Sequence, residues 1–101
     1  MEILRKHEIT STYIITALEV SEDAKLVFVG HLDGVAQVHK LQKDGKYKPE
    51  KNDFSVTFKN KSVKALFLIP KLNYLLIALN SGILAVCRIE KNNTLTEIFL
   101  F

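Results

Sequence analysis

Tryptophan is absent from the 101 residues, cysteine and methionine occur once each, proline twice and glycine four times. A lone cysteine, Cys87, cannot close a disulfide within the chain, which excludes a cross-linked scaffold of the small secreted kind and agrees with a reducing compartment. So few prolines and glycines exclude a collagen-like or low-complexity chain. No apolar run approaches the roughly 20 residues of a membrane-spanning helix. The opening MEILRKHEI lacks the apolar core of a signal peptide, so the chain reads as cytoplasmic. Missing as well are a nucleophile elbow, a phosphate-cradling glycine loop and any metal-spaced His or Cys cluster. The expectation is a protein that is not an enzyme and carries no cofactor or metal.

What is present is apolar surface in short pieces. Hydrophobic residues make up 48% and charged residues 25%, with 14 basic against 11 acidic side chains and a formal charge of +3. This describes one ordinary globular unit. A chain of this size buries only about 60–65% of its unfolded surface, so neighbouring units that cover its open faces would matter to its stability.

The apolar residues fall in strand-length runs. Glu2 to Ile9, with Arg5, Lys6, His7 and Glu8 at its centre, suits an exposed edge strand. The nearly continuous run Tyr13 to Val20 reads as an interior strand covered on both faces. Ser21 to Lys25 is a turn, LVFVGH follows, and Asp33-Gly34 supplies a hairpin reversal into VAQVHKL. Gln42 to Asp53, broken by Gly45 and Pro49 and rich in lysine, reads as a solvated loop. Phe54 to Phe58 alternates apolar and polar residues and completes a four-stranded sheet. A second unit follows the same plan: Ser62 to Ile69, a turn at Pro70 to Asn73, Tyr74 to Leu79, a turn at Asn80-Ser81-Gly82, Ile83 to Ile89, and finally LTEIFLF. No stretch shows the apolar stripe of a helix over three turns.

These two units are an internal repeat. Ala65 follows Ala17 by 48 positions (65 − 17), and the same offset carries Leu18 to Leu66, Gly34 to Gly82 and Val38 to Val86. Apolar residues fall on apolar residues between them, Leu26 on Tyr74 and Phe28 on Leu76 among others. A period of about 40–50 residues holding several short strands is the mark of propeller blades. The predicted class is all-β: two four-stranded antiparallel blades of a β-propeller, spanning 13–58 and 59–101, with 1–12 as a possible extra edge strand and linker. Two blades do not close a ring of about 4–8. Leu66, Leu68, Leu84 and Val86 would leave apolar blade faces in water, so further blades, other subunits or a homo-oligomer closing the ring are expected.

The pattern resembles WD-repeat and citron-homology β-propellers. Asp33-Gly34 match the turn of a WD blade, whereas His39-Lys40 and Cys87-Arg88 stand where its Trp-Asp dipeptide would be. The basic loop, FSVTFKNKSVKAL and LIPKLNYLLIALNSGILAVCRI resemble the opening blades of citron-homology propellers in subunits of endolysosomal tethering complexes (HOPS and CORVET). That resemblance implies a scaffold for protein–protein contacts in vesicle trafficking, peripheral on endolysosomal membranes, with a small GTPase or tether subunits as partners.

Candidate partner-binding residues are Lys43, Lys46, Tyr47, Lys48 and Lys51 in the basic loop. Asp33, Gly34, Asn80 and Gly82 are structural turn residues. The same lysines, with Tyr47 stacking on a base, would serve an alternative, a propeller that binds RNA or anionic lipid through phosphates. A second alternative is a small closed β-barrel with a ligand in its mouth. His39 and Cys87 occupy equivalent repeat positions, which favours packing over ligation, since a structural zinc needs four ligands. His7 and His31 read as surface or satisfied histidines.

Overall fold

The computed structural model describes residues 14–48, 55–59 and 61–101. The expected edge strand at Glu2 to Ile9, the residues 1–12, His7 and Lys51 lie outside them. Two antiparallel sheets account for the described chain. The first holds β1 (Ile15–Val20), β2 (Leu26–His31) and β3 (Val35–Leu41), with β4 (Tyr47–Lys48) and β5 (Ser55–Thr57) both paired to the far edge of β3. The second runs β6 (Val63–Ile69), β7 (Tyr74–Leu79), β8 (Leu84–Ile89) and β9 (Leu95–Leu100) in order. A 3-10 turn at Pro70–Leu72 separates β6 from β7. No helix among the described residues is long and apolar enough to cross a membrane.

Local chemistry sets the reversals. Between β2 and β3, Gly34 takes φ +92°, its amide donates to the His31 carbonyl at 3.2 Å, and the Asp33 carboxylate accepts the Val35 amide at 3.3 Å. Between β7 and β8, Gly82 takes φ +81° and donates to the Leu79 carbonyl at 3.2 Å. Asn80 serves differently. Its side-chain oxygen accepts the Ser62 amide at 3.3 Å, tying this turn to the start of β6.

Side-chain alternation then decides which faces meet. Phe28, Ala36 and Val38 of the first sheet pack with Leu66, Leu75, Ile77 and Cys87 of the second, forming one core between the sheets. A smaller cluster of Val27, Val29 and Tyr47 lies on the outer side of the first sheet. Leu84 and Val86 belong to the outer side of the second sheet, opposite to Leu66 and Leu68. The inner edges are joined by side chains: Thr16 Oγ1 donates to the Val63 carbonyl, and the Leu68 amide donates to Glu19 Oε2 at 3.3 Å.

Three expectations are corrected. The run from Tyr13 to Val20 is not an interior strand: none of Ile15–Val20 is fully buried, and Ile15 is 36% exposed. Among the described strands it pairs with β2 alone and presents its other edge to β6, so apolar continuity here marks an inner edge. The stretch Gln42 to Asp53 is not wholly a solvated loop, because Tyr47–Lys48 adds to the sheet opposite Lys40 and Leu41. The outer strand of the first sheet is therefore split, β4 covering one end of β3 and Ser55–Thr57 the other.

Candidate functional site

The two sheets diverge at the end that carries the β1–β2 turn, the 3-10 turn and the β8–β9 turn, and a cleft of about 450 Å³ opens between them. Its floor is apolar, from Leu26 and Phe28 on one sheet and Leu68 and Ile89 on the other. Glu22, Asp23, Glu90 and Lys91 stand at its rim with Pro70 and Asn73. The turn behind Asp23 is pre-formed: its carboxylate accepts the Lys25 amide at 3.0 Å and the Ser21 hydroxyl at 2.7 Å. These contacts, the Lys25 amide first, hold the Asp23 carboxyl below the usual carboxylate range. Glu90 lies 3.6 Å from the Arg88 guanidinium.

A second polar group sits inside the first sheet. His31 on β2 and Gln37 and His39 on β3 share its outer side, and both imidazole Nε2 atoms lie 3.1 Å from Gln37 Oε1. With that oxygen accepting from both, each ring carries its proton on Nε2. His39 Nδ1 is then buried with no hydrogen-bond partner. Burial is the main cause that pushes the His39 pKa down, and the charge of His31 adds to it. The Tyr47 main chain, outside hydrogen-bond geometry, works the other way. At 0% and 1% exposure, His39 and His31 bind one another through Gln37 and face no solvent. This is a structural bridge. Its only trace in the sequence is the alternation of Gln37 and His39 along one strand.

Cys87, the repeat counterpart of His39, lies in the core between the sheets rather than beside it. Burial, reinforced by Glu97, pushes its thiol up to about 11, which makes it a poor nucleophile near neutrality. Among the described residues no group of three or more His, Cys, Asp or Glu is placed to hold a metal.

Of the basic segment's expected binding residues, Lys43, Lys46, Tyr47 and Lys48 are described. Lys43, Lys46 and Lys48 are exposed, but Lys48 Nζ lies 3.5 Å from the Asp44 carboxylate. Tyr47, expected as a stacking platform, is 0% exposed, and its hydroxyl donates to the Ala24 carbonyl at 2.8 Å. The correction follows from its place in β4, where the ring fills the outer cluster of the first sheet. The cleft was missed because its residues come from three turns far apart in sequence. Their acidic and Asn-rich composition is the only signal of it in the chain.

No family model matches the chain, and no curated protein matches it. Among solved structures it is similar to the β-propeller domain of Cps50 (Swd1) from Myceliophteria thermophila, with a TM-score of 0.70 and 12% identity. The match covers 88% of this chain and 29% of that one. A likeness at that identity concerns fold. Together with the two antiparallel sheets, the first with its outer strand split into β4 and β5, it shows a β-propeller type of fold with the sheets as two blades.

Proposed function

We propose that the chain supplies two blades of a non-catalytic propeller scaffold and that a protein partner docks in the cleft between them. The observation that carries this reading is the convergence of turns from both blades on one apolar floor with a predominantly acidic rim. A segment with an apolar side chain next to Lys or Arg would place its aliphatic part against Leu26, Phe28 and Leu68 and its charge near Asp23 and Glu90. Resemblance to citron-homology propellers makes the assembly a vesicle-tethering complex on endolysosomal membranes, with a small GTPase or a tether subunit as the docked partner.

Titration of the purified chain with a GTP-loaded endolysosomal small GTPase and with purified tether subunits tests the reading. Saturable binding is expected, weakened about tenfold or more by the pair D23K and E90K, equivalent to about 1.4 kcal/mol. Absence of binding, or binding indifferent to the charge reversals, overturns it.

A further inference from the structure

Left-handed backbone gathers at one end of the molecule. Among the described residues, three that are not glycine have positive φ: Ala24 at 62°, Asn73 at 56° and Asn93 at 68°. Each lies in a different turn, and these are the three turns that frame the cleft. Asparagine tolerates this conformation, because its short polar side chain can bond the local main chain. Alanine has no such means. It keeps a positive φ only where its surroundings hold it there.

What holds Ala24 includes one buried side chain from elsewhere in the sequence. The Ala24 amide donates to the Ser21 carbonyl at 3.0 Å, a closure within the turn. The Ala24 carbonyl accepts the hydroxyl of Tyr47 at 2.8 Å. That carbonyl and the Lys25 amide belong to the same peptide group, which is planar and trans, so its C=O and N–H point in opposite directions. The Lys25 amide donates to the Asp23 carboxylate at 3.0 Å. Tyr47 and Asp23 therefore hold opposite ends of one rigid unit.

We propose that Tyr47 is the positioning residue of the cleft: from the outer side of the first sheet, its hydroxyl fixes the Ala24–Lys25 peptide and so aims the Asp23 carboxylate that a docked partner meets. This rests on the cleft reading for the partner, whereas the positioning itself is independent of any partner. Tyr47 suits the task because it is 0% exposed, its ring packed with Val27 and Val29. Asp23 is exposed, and a carboxylate without such support would sample several rotamers. Ser21 completes the hold, its hydroxyl donating to the same Asp23 Oδ1 at 2.7 Å while it accepts the Leu26 amide at 3.1 Å. Both bonds to the carboxylate go to Oδ1, which leaves Oδ2 to accept from a partner's cation. A carboxylate fixed in advance loses less freedom on binding. A residue of the basic segment thus serves recognition from behind the site, without touching the partner.

Nuclear magnetic resonance titration of the Asp23 carboxyl carbon in the full chain tests the positioning with no partner present. In the unaltered chain the carboxyl should titrate below the usual carboxylate range, held there first by the Lys25 amide and then by the Ser21 hydroxyl. Tyr47→Phe keeps the ring, so the far-ultraviolet circular dichroism spectrum should be unchanged while the Asp23 titration moves up toward that range. In an Ala24→Asn background the turn holds itself, as the turns of Asn73 and Asn93 do, and the same tyrosine change should leave Asp23 where it was. Binding of a GTP-loaded endolysosomal small GTPase or of tether subunits should weaken about threefold or more in Tyr47→Phe, through lost preorganisation, and recover in the double variant. An Asp23 that titrates in the usual range in the unaltered chain, an Asp23 indifferent to Tyr47→Phe, or a shift that Ala24→Asn fails to suppress overturns the proposal. Asp23 moving as expected in a chain that binds neither probe would sink only the cleft reading. Binding that is lost in D23K but untouched by Tyr47→Phe, with Asp23 unmoved, would sink this inference alone.

Discussion

The carboxylate of Glu19 on β1 accepts the main-chain amide of Leu68 on β6 at 3.3 Å, across the seam between the two blades. Its other oxygen accepts the Val20 amide at 3.2 Å. Toward the opposite end of the same seam, the Thr16 hydroxyl reaches the Val63 carbonyl. Two edge strands therefore meet through side chains rather than through a continuous ladder, and each clamp satisfies a backbone group that would otherwise lack a protein partner at the seam.

Replacing Glu19 by Ala should cost about 1–3 kcal/mol, the usual penalty for leaving a partly buried amide without its acceptor. Glu19→Gln keeps an acceptor oxygen and should lose less than half as much. Urea unfolding of the three proteins measures both. Equal midpoints for Ala and wild type would mean that water takes over the Leu68 amide.

The two hairpin glycines should respond unequally to alanine. A Cβ at Gly34 would run into the main-chain carbonyls of Phe58 and Lys61, neither of which is a flexible tip, and φ is +92° besides. A Cβ at Gly82 would meet nothing within 4 Å, leaving only the strain of φ +81°. Gly82→Ala should cost about 1–2 kcal/mol, the left-handed backbone cost alone. Gly34→Ala should cost about 3 kcal/mol or more, through overpacking and backbone strain together. Thermal melts would rank the two, and the reverse order would contradict the placement of the Gly34 turn against the chain leading into β6.

Stability should fall on the acid side through His39. Burial lowers its pKa in the fold from the ordinary 6.5, so below that value the unfolded chain binds more protons than the folded one. Nothing is lost above pH about 6.5; the loss accumulates as pH drops from there toward the depressed folded value and then levels off. His31, bridged to the same Gln37 oxygen, would feel the new charge directly. Urea midpoints of wild type and His39→Gln between pH 7.5 and 5 should diverge only in the lower half of that range. Parallel curves would mean that the ring titrates as freely in the fold as outside it.

Elements whose causes are local were legible in the sequence. Leu26–His31 and Val35–Leu41 follow from alternation around Asp33-Gly34, and the 48-residue offset between Gly34 and Gly82 announces two units of one design. Tyr47 was not legible, because it sits among lysines and its burial depends on Ala24 on the far side of the sheet. Glu19 was hidden for the same reason, since its role lies in an amide 49 residues away. Composition reports the average character of a segment, and each of these residues acts against that average.

One repeat position further on, Phe67 stands where Glu19 was and Lys64 where Thr16 was. The seam between the blades therefore cannot be rebuilt with the copies exchanged: β6 offers no carboxylate and no hydroxyl at the places where β1 does. A chain made by duplication runs the hazard that its halves trade partners while folding, within one molecule or between two. Divergence at these two positions works as a lock and key for order, since only the first unit can grip the second.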